Sequence, residues 1–248
     1  MKNFRNLSLA LFIALALMII LIVLFSVSSK QVSPGLYRFV ILLGGDIKNG
    51  GYIQIFTYFA FFWSWFEAQE KLTGLKRERR AFKLNIIPTG EKIVFLPADV
   101  NNLKFKIMEF EKKEKYILSD LLKKACTKYR ASSSLSELID IVSIQIEVSQ
   151  EKWEGAQSVL RYLTWVIPSI GFVGTVIGIS QALLVANSGD MDLISSLLGI
   201  AFDTTLVALV LSIVIMWYVH KVQEETDRYH SDLKEFLIDN LINKIEST

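Results

Sequence analysis

Apolar positions in this chain fall into a few dense blocks, separated by stretches in which charged residues surround single apolar ones. The first block runs from Leu7 to Val27 behind Lys2 and Arg5. At helical rise its roughly 20 residues match the hydrocarbon thickness of a bilayer, whereas a cleaved secretory signal would carry an apolar core of only about 7 to 15. The block is therefore read as a span. A second block, Tyr52 to Phe66, is rich in Phe, Tyr and Trp and ends at Glu67, ahead of the cluster Lys71, Lys76, Arg77, Arg79 and Arg80. Between the two, Leu36 to Leu43 is apolar but is cut by Gly44, Gly45, Asp46 and Lys48, so Pro34 to Gly51 predicts an interfacial helix or a re-entrant turn. A third block, Val159 to Ala186, and a fourth, Leu193 to Val219, are joined by the short acidic turn Asn187 to Asp192 and predict a helical hairpin.

The flanking charges orient these spans. The hairpin turn holds Asp190 and Asp192 and no Lys or Arg, while Arg161 precedes the pair and His220, Lys221 and Arg228 follow it. The positive-inside rule puts the turn outside and the basic cluster after the second block inside, which places both termini in the cytoplasm. Trp165, Trp217, Tyr162 and Tyr218 then mark the inner interface of the hairpin. The segment from Glu67 to Ser158 is broken around Pro88, Gly90 and Pro97 and then becomes helical: Pro97 with Asp99 reads as a helix start, with Leu103, Ile107 and Phe110 at helical spacing. Beyond the Ser132 to Ser134 break, Leu135, Leu138, Ile139, Val142 and Ile146 form a second stripe, and Leu233, Phe236, Leu237, Leu241 and Ile245 a third in the C-terminal stretch.

The predicted fold class is all-α, a polytopic membrane helical bundle with four transmembrane helices on a helical cytoplasmic base. Residues 1–69 hold spans 1 and 2 with the interfacial segment, 70–158 a cytoplasmic helical domain, 159–219 the hairpin, and 220–248 a C-terminal helix. Composition agrees: the 248 residues are 52% hydrophobic yet 21% charged, so the apolar residues are concentrated in blocks. A net charge of +2 with no basic stripe interleaved with aromatics excludes a nucleic-acid partner. One cysteine, Cys126, and two histidines in a charged tail, His220 and His230, leave no metal or disulfide framework. There is no Ser/His/Asp set, HExxH, nucleotide loop or paired carboxylate at membrane depth, so an enzyme is not expected.

Within the hairpin, Gly171, Thr175, Gly178 and Ala182 are spaced i, i+4, i+7, i+11 and share one helical face. Ala201, Thr205, Ala208 and Ser212 repeat that spacing with similar sizes, again with one threonine second in the row. Ordinary tight helix packing is the simplest reading, supported by Gly174 and Gly178 at GxxxG spacing. The match between the two faces suggests instead that a foreign transmembrane helix lies against both, its ionisable group hydrogen-bonded by the hydroxyls. Neither face carries an acid, so that carboxylate would come from the partner.

The runs TWVIPSIGFVGTVIGI, Thr164 to Ile179, and GIAFDTTLVALVLSI, Gly199 to Ile213, resemble the two core helices of the MotA/TolQ/ExbB proton-channel family, with a Pro-x-x-Gly-x-x-Gly-Thr-Val-x-Gly pattern at Pro168 to Gly178. The rest of the chain is similar in layout only, and its two N-terminal spans are more MotA-like than TolQ- or ExbB-like. The resemblance implies a stator-like subunit of a rotary motor driven by the proton-motive force, in the bacterial inner membrane. It further implies a homopentamer around a dimer of a MotB/TolR/ExbD-like single-span protein whose aspartate carries the ion. Thr175 and Thr205 match the family's pore threonines; Gly171, Gly178, Ala182, Ala201, Ala208 and Ser212 would be pore-facing. No cofactor is expected beyond the transported H+ or Na+.

Departures matter as much. The glutamate that ExbB-like members carry before the fourth-span threonine is absent, and Asp203 appears instead, roughly 200° around the helix from Thr205. An acid in a span is a functional candidate by default. With no basic residue found within any span, three states are open to it: protonated, hydrated near the outer leaflet, or paired across subunits. Thr204 forms a hydroxyl pair with Thr205 and joins the candidate ion pathway, leaving proton and sodium both open. Pro168 predicts a kink that is either a hinge or a static bend. No long signalling tail of the kind carried by defence-type relatives is expected. A membrane scaffold or sensor without conduction is the rival reading.

Overall fold

The computed structural model describes residues 2–28, 33–88, 90 and 94–245; the side chains of Lys2, Asn3, Lys48, Asn49 and Pro97 lie outside that description. The described residues are mainly α-helical: α1 (Lys2–Val27), α2 (Pro34–Leu42), α3 (Tyr52–Arg79), α4 (Pro97–Glu111), α5 (Ile117–Ser132), α6 (Leu135–Ala156), α7 (Ser158–Val185) and α8 (Met191–Asn240). They gather into two units, one of residues 1–70 and 158–220, the other of residues 71–157 and 221–248.

In the first unit, α1 turns Ala10, Ala14, Met18 and Leu21 inward and leaves Phe12, Ile19, Ile20 and Val23 exposed. A helix apolar on all sides is suited to lipid rather than water. Three stretches are long and apolar enough to cross a membrane: Phe4–Val27, and runs within Leu135–Ser188 and Met191–Lys244. The predicted second span is not among them. Its apolar run is interrupted by Gln54, Thr57 and Ser64, all fully buried, and Tyr52 to Phe66 measures only about 22 Å at helical rise against a core of ~30 Å.

The short helix α2 packs beside this region. Tyr37 stacks on Phe25 at 5.5 Å between ring centroids, and an added Cβ at Gly45 would sit 3.1 Å from the Leu21 carbonyl oxygen, so α2 folds back along the end of α1. Gln54 Nε2 donates to the Leu42 carbonyl and the Tyr58 hydroxyl to the Leu43 carbonyl, both at 2.8 Å, fastening the end of α2 to the start of α3. Two glycines make the reversal possible. Gly44 has φ +97°, and a Cβ there would meet the Gln54 side chain; a Cβ on Gly51 would run into the backbone of Gly44 and Asp46. At the far end of α1, Asn6 Nδ2 donates to Glu70 at 2.6 Å and to Glu67 at 3.5 Å. Pro34 to Gly51 thus forms a short helix and a glycine reversal that pack between the end of α1 and the start of α3.

The second unit has an ordinary globular core. Leu75, Ile107, Leu118, Leu122, Leu138, Tyr229, Leu233 and Leu237 are almost wholly buried together, while Lys123 pairs with Glu111 and Lys128 with Glu137 toward the outside. Helix starts are capped as the sequence suggests: Asp99 accepts from Leu96 N at 3.1 Å and Ser134 Oγ from Glu137 N at 3.3 Å. The first turn of α5 is held from outside it, Glu78 accepting from Ile117 N at 2.8 Å. Ser133, left-handed at φ 51°, ends α5 at the predicted break. Of the expected stripes, Leu103, Ile107, Leu138, Val142, Ile146, Leu233, Leu237, Leu241 and Ile245 are buried, whereas Ile139 is exposed because it lies about 100° around α6 from Leu138.

Cys126 sits in this core, and burial pushes its thiol up to about 12. The proton-bound thiol is the form the folded core favours. Its contribution is therefore fully present below the unfolded value near 9 and is lost as pH rises toward 12. Iodoacetamide at pH 8 is expected to leave Cys126 unmodified in the folded protein and to label it after denaturation, measured by intact mass.

Candidate functional site

The hairpin helices meet along their small faces. A Cβ added at Gly171 would lie 2.5 Å from Ala208 Cβ, one at Gly178 would lie 2.5 Å from Ala201 Cβ, and one at Gly174 would collide with the Thr204 side chain. Backbones approach this closely only where side chains are all but absent, and dispersion across such a seam is what joins helices where lipid removes the hydrophobic drive. Gly171, Gly178, Ala182, Ala201, Ala208 and Ser212 are accordingly buried. Within the one chain, the two small faces pack on each other rather than standing apart.

Thr175 and Thr205 stand at the edge of the seam, half-buried. Their hydroxyls contact each other; Thr205 Oγ1 also reaches the Gly171 carbonyl at 2.9 Å, and Thr175 Oγ1 the Ala201 carbonyl at 3.2 Å and the Gly171 carbonyl at 3.4 Å. The two hydroxyl protons have more acceptors within reach than they can fill. At positions −3, +1 and +4 from each threonine the side chains are exposed and apolar: Phe172, Val176 and Ile179 on α7, Phe202, Leu206 and Leu209 on α8. The pair is a polar spot within an apolar surface contributed by both helices.

Thr204 does not join it. Its side chain is 1% exposed, packs on Gly174 and donates to the Ala201 carbonyl at 2.8 Å, so the hydroxyl pair at this level is Thr175 with Thr205 and not Thr204 with Thr205. One helical residue corresponds to about 100° of rotation, which sends the two neighbouring threonines to different faces. Pro168 lies inside α7, which runs through it from Ser158 to Val185.

Asp203 faces neither the seam nor the threonine edge. Its side chain is 6% exposed and forms a two-pronged ion pair with Arg38 of α2: Nη2 to Oδ1 at 2.8 Å, and Nη1 to Oδ2. None of the three states left open for this acid is the one found. The partner was missed because Leu36 to Leu43 reads as an apolar run, yet a single arginine inside such a run is itself the signal, since a charge at that depth must be matched. A groove of ≈ 490 Å³ lined by Tyr37, Arg38, Ser195, Ser196 and Gly199 adjoins the pair. Among the described residues there is no group of three or more His, Cys, Asp or Glu able to hold a metal.

Three helices long and apolar enough to cross a membrane, two of them joined in a small-residue hairpin, are the features of a multi-pass membrane protein. The family model described as the MotA/TolQ/ExbB proton channel family matches residues 113–235, about half of the chain, and the chain belongs to that family. The match contains α5 to α7, both threonines and Asp203, and leaves Arg38 outside it. Comparisons with curated proteins and with solved structures found no match.

Replacing Gly178 with Ala forces α7 and α8 apart and is expected to lower stability by about 1–3 kcal/mol, read from thermal unfolding in detergent. Gly178→Ala combined with Ala201→Gly is expected to recover part of the loss. Gly199→Ala, where a Cβ meets nothing within 4 Å, is expected to be neutral or stabilising.

Proposed function

We propose that this chain is the stator-like channel subunit of a rotary motor driven by an ion gradient, and that the Thr175–Thr205 hydroxyl pair lies on the path of the ion. The observation that carries the reading is the pair itself: two hydroxyls, one from each core helix of a proton-channel family member, meeting half-exposed in an otherwise apolar surface. A transmembrane helix from a single-span partner of the MotB/TolR/ExbD kind fits against that surface better than lipid does. An ionisable carboxyl on such a helix would find hydroxyls able to donate or accept as it gains and loses a cation.

The close packing of α7 on α8 supports a reading in which the partner rests on the edge the two helices form together, and a ring of copies would present one such edge per subunit. A homopentamer around a partner dimer, in the bacterial inner membrane with both termini cytoplasmic, is the assembly the family resemblance implies. Pro168, which removes one backbone hydrogen bond from α7, is the natural place for that helix to bend during a cycle. The proton is the primary reading for the ion, with sodium as the alternative.

The test is ion flux with the partner co-expressed. Thr175→Val and Thr205→Val keep shape and remove the hydroxyl, and each is expected to lower flux by about tenfold or more with unchanged amounts of assembled complex. Undiminished flux in both variants would remove the threonines from the path and leave the scaffold or sensor reading in its place.

A further inference from the structure

Three consecutive residues of α8 fasten it in three directions. Asp203 is held by Arg38 on α2, Thr204 packs into the space at Gly174 of α7, and Thr205 reaches the Gly171 carbonyl and Thr175 at the other edge of α7. The first of these ties is of a different kind. The other two are short-range packing and neutral hydrogen bonds, whereas this one is a two-pronged ion pair whose carboxylate side chain is only 6% exposed.

The cation of that pair is presented by a rigid element. α2 is only nine residues long, but Gln54 and Tyr58 hold the carbonyls at its end, Gly45 N donates back to the Val40 carbonyl at 2.8 Å, and Tyr37 is stacked on Phe25. The glycine reversal at Gly44 and Gly51 has no room for a side chain. The arginine itself differs from its carboxylate in exposure: 54% of the Arg38 side chain is open, on the side of the groove lined by Ser195 and Ser196. A two-pronged guanidinium pair fixes the orientation of the carboxylate as well as its charge, and with it the rotation of the helical turn that carries Thr205.

We infer that Arg38 is a positioning residue for the ion path: through Asp203, the short helix α2 acts as a strut that sets the rotation of α8 and so the meeting of Thr205 with Thr175, with the guanidinium reached from water through the adjoining groove. The role in ion movement rests on the reading of the threonine pair given above; the positioning itself does not.

The experiment separates the two. In a Cys126→Ser background, Thr175→Cys and Thr205→Cys place two thiols where the hydroxyls meet, and their copper-phenanthroline-driven disulfide formation in membranes reports the geometry without reference to flux. Adding Arg38→Gln is expected to slow that reaction by about fivefold or more, and Arg38→Lys to slow it far less. An unchanged rate with Arg38→Gln overturns the inference. If Arg38→Gln does not accumulate, Arg38→Gln with Asp203→Asn, which leaves no buried charge, is used under the same criterion.

Flux is then measured in the threonine-containing protein with its partner, carrying Cys126→Ser and Arg38→Cys. Loss of about tenfold is expected from misplacing the path by a fraction of an ångström. Recovery is expected when the cationic thiol reagent aminoethyl methanethiosulfonate is added, and none with the neutral propyl reagent. Equal recovery with both reagents, or no loss in Arg38→Cys, overturns the link to the ion path. A disulfide rate that depends on Arg38 alongside flux that ignores Thr175→Val and Thr205→Val would sink the threonine reading and leave the strut standing.

Discussion

A polar group held at membrane depth must find its partner inside the protein, because the surroundings supply neither water nor counter-ion. Several contacts of the first unit follow from that constraint. Ser64 and Thr57 donate back to the carbonyls one turn earlier, at 2.7 and 3.3 Å. Gln54 reaches across to Leu42, Asn6 to Glu70, and Arg38 to Asp203. Each of these fixes one helix against another, so the requirement to satisfy polar groups also sets the arrangement of the helices that carry them.

The α7–α8 seam shows the complementary case, in which polar chemistry is nearly absent and closeness does the joining. Glycine opposite alanine at two levels lets the backbones approach until an extra methyl would not fit. Such a contact is rigid, since separating the helices forfeits dispersion along the whole line at once. The threonine pair gains from that rigidity: hydroxyls at the rim of a stiff seam are held in place without being covered. A channel subunit needs both properties, fixed donors and access to them.

Charge is divided between the two units in a way that matches their surroundings. In the second unit, pairs such as Arg79 with Asp232 and Lys124 with Asp120 are partly exposed and contribute little individually. In the first, Arg38 with Asp203 has one member almost entirely buried. An arginine–aspartate pair thus occurs in both units, partly exposed in one and with its carboxylate buried in the other.

The blocks of apolar residues determined by themselves that the protein is helical and built for a bilayer, because length and hydropathy are local properties and bilayer thickness is a fixed measure. The core stripes around Ile107, Leu138 and Leu237 were equally readable, since helical periodicity maps sequence directly onto a face. What spacing does not say is which face meets which. The matched rows at Gly171 and Ala201 had the same pattern whether they lined a cavity or each other, and only the tertiary structure decided that they close together. The partner of Asp203 lay 165 residues away on a helix whose placement depends on glycine geometry and on Gln54 and Tyr58, contacts between residues distant in the chain. Periodicity is written one turn at a time, and such pairings exist only once the chain has folded back on itself.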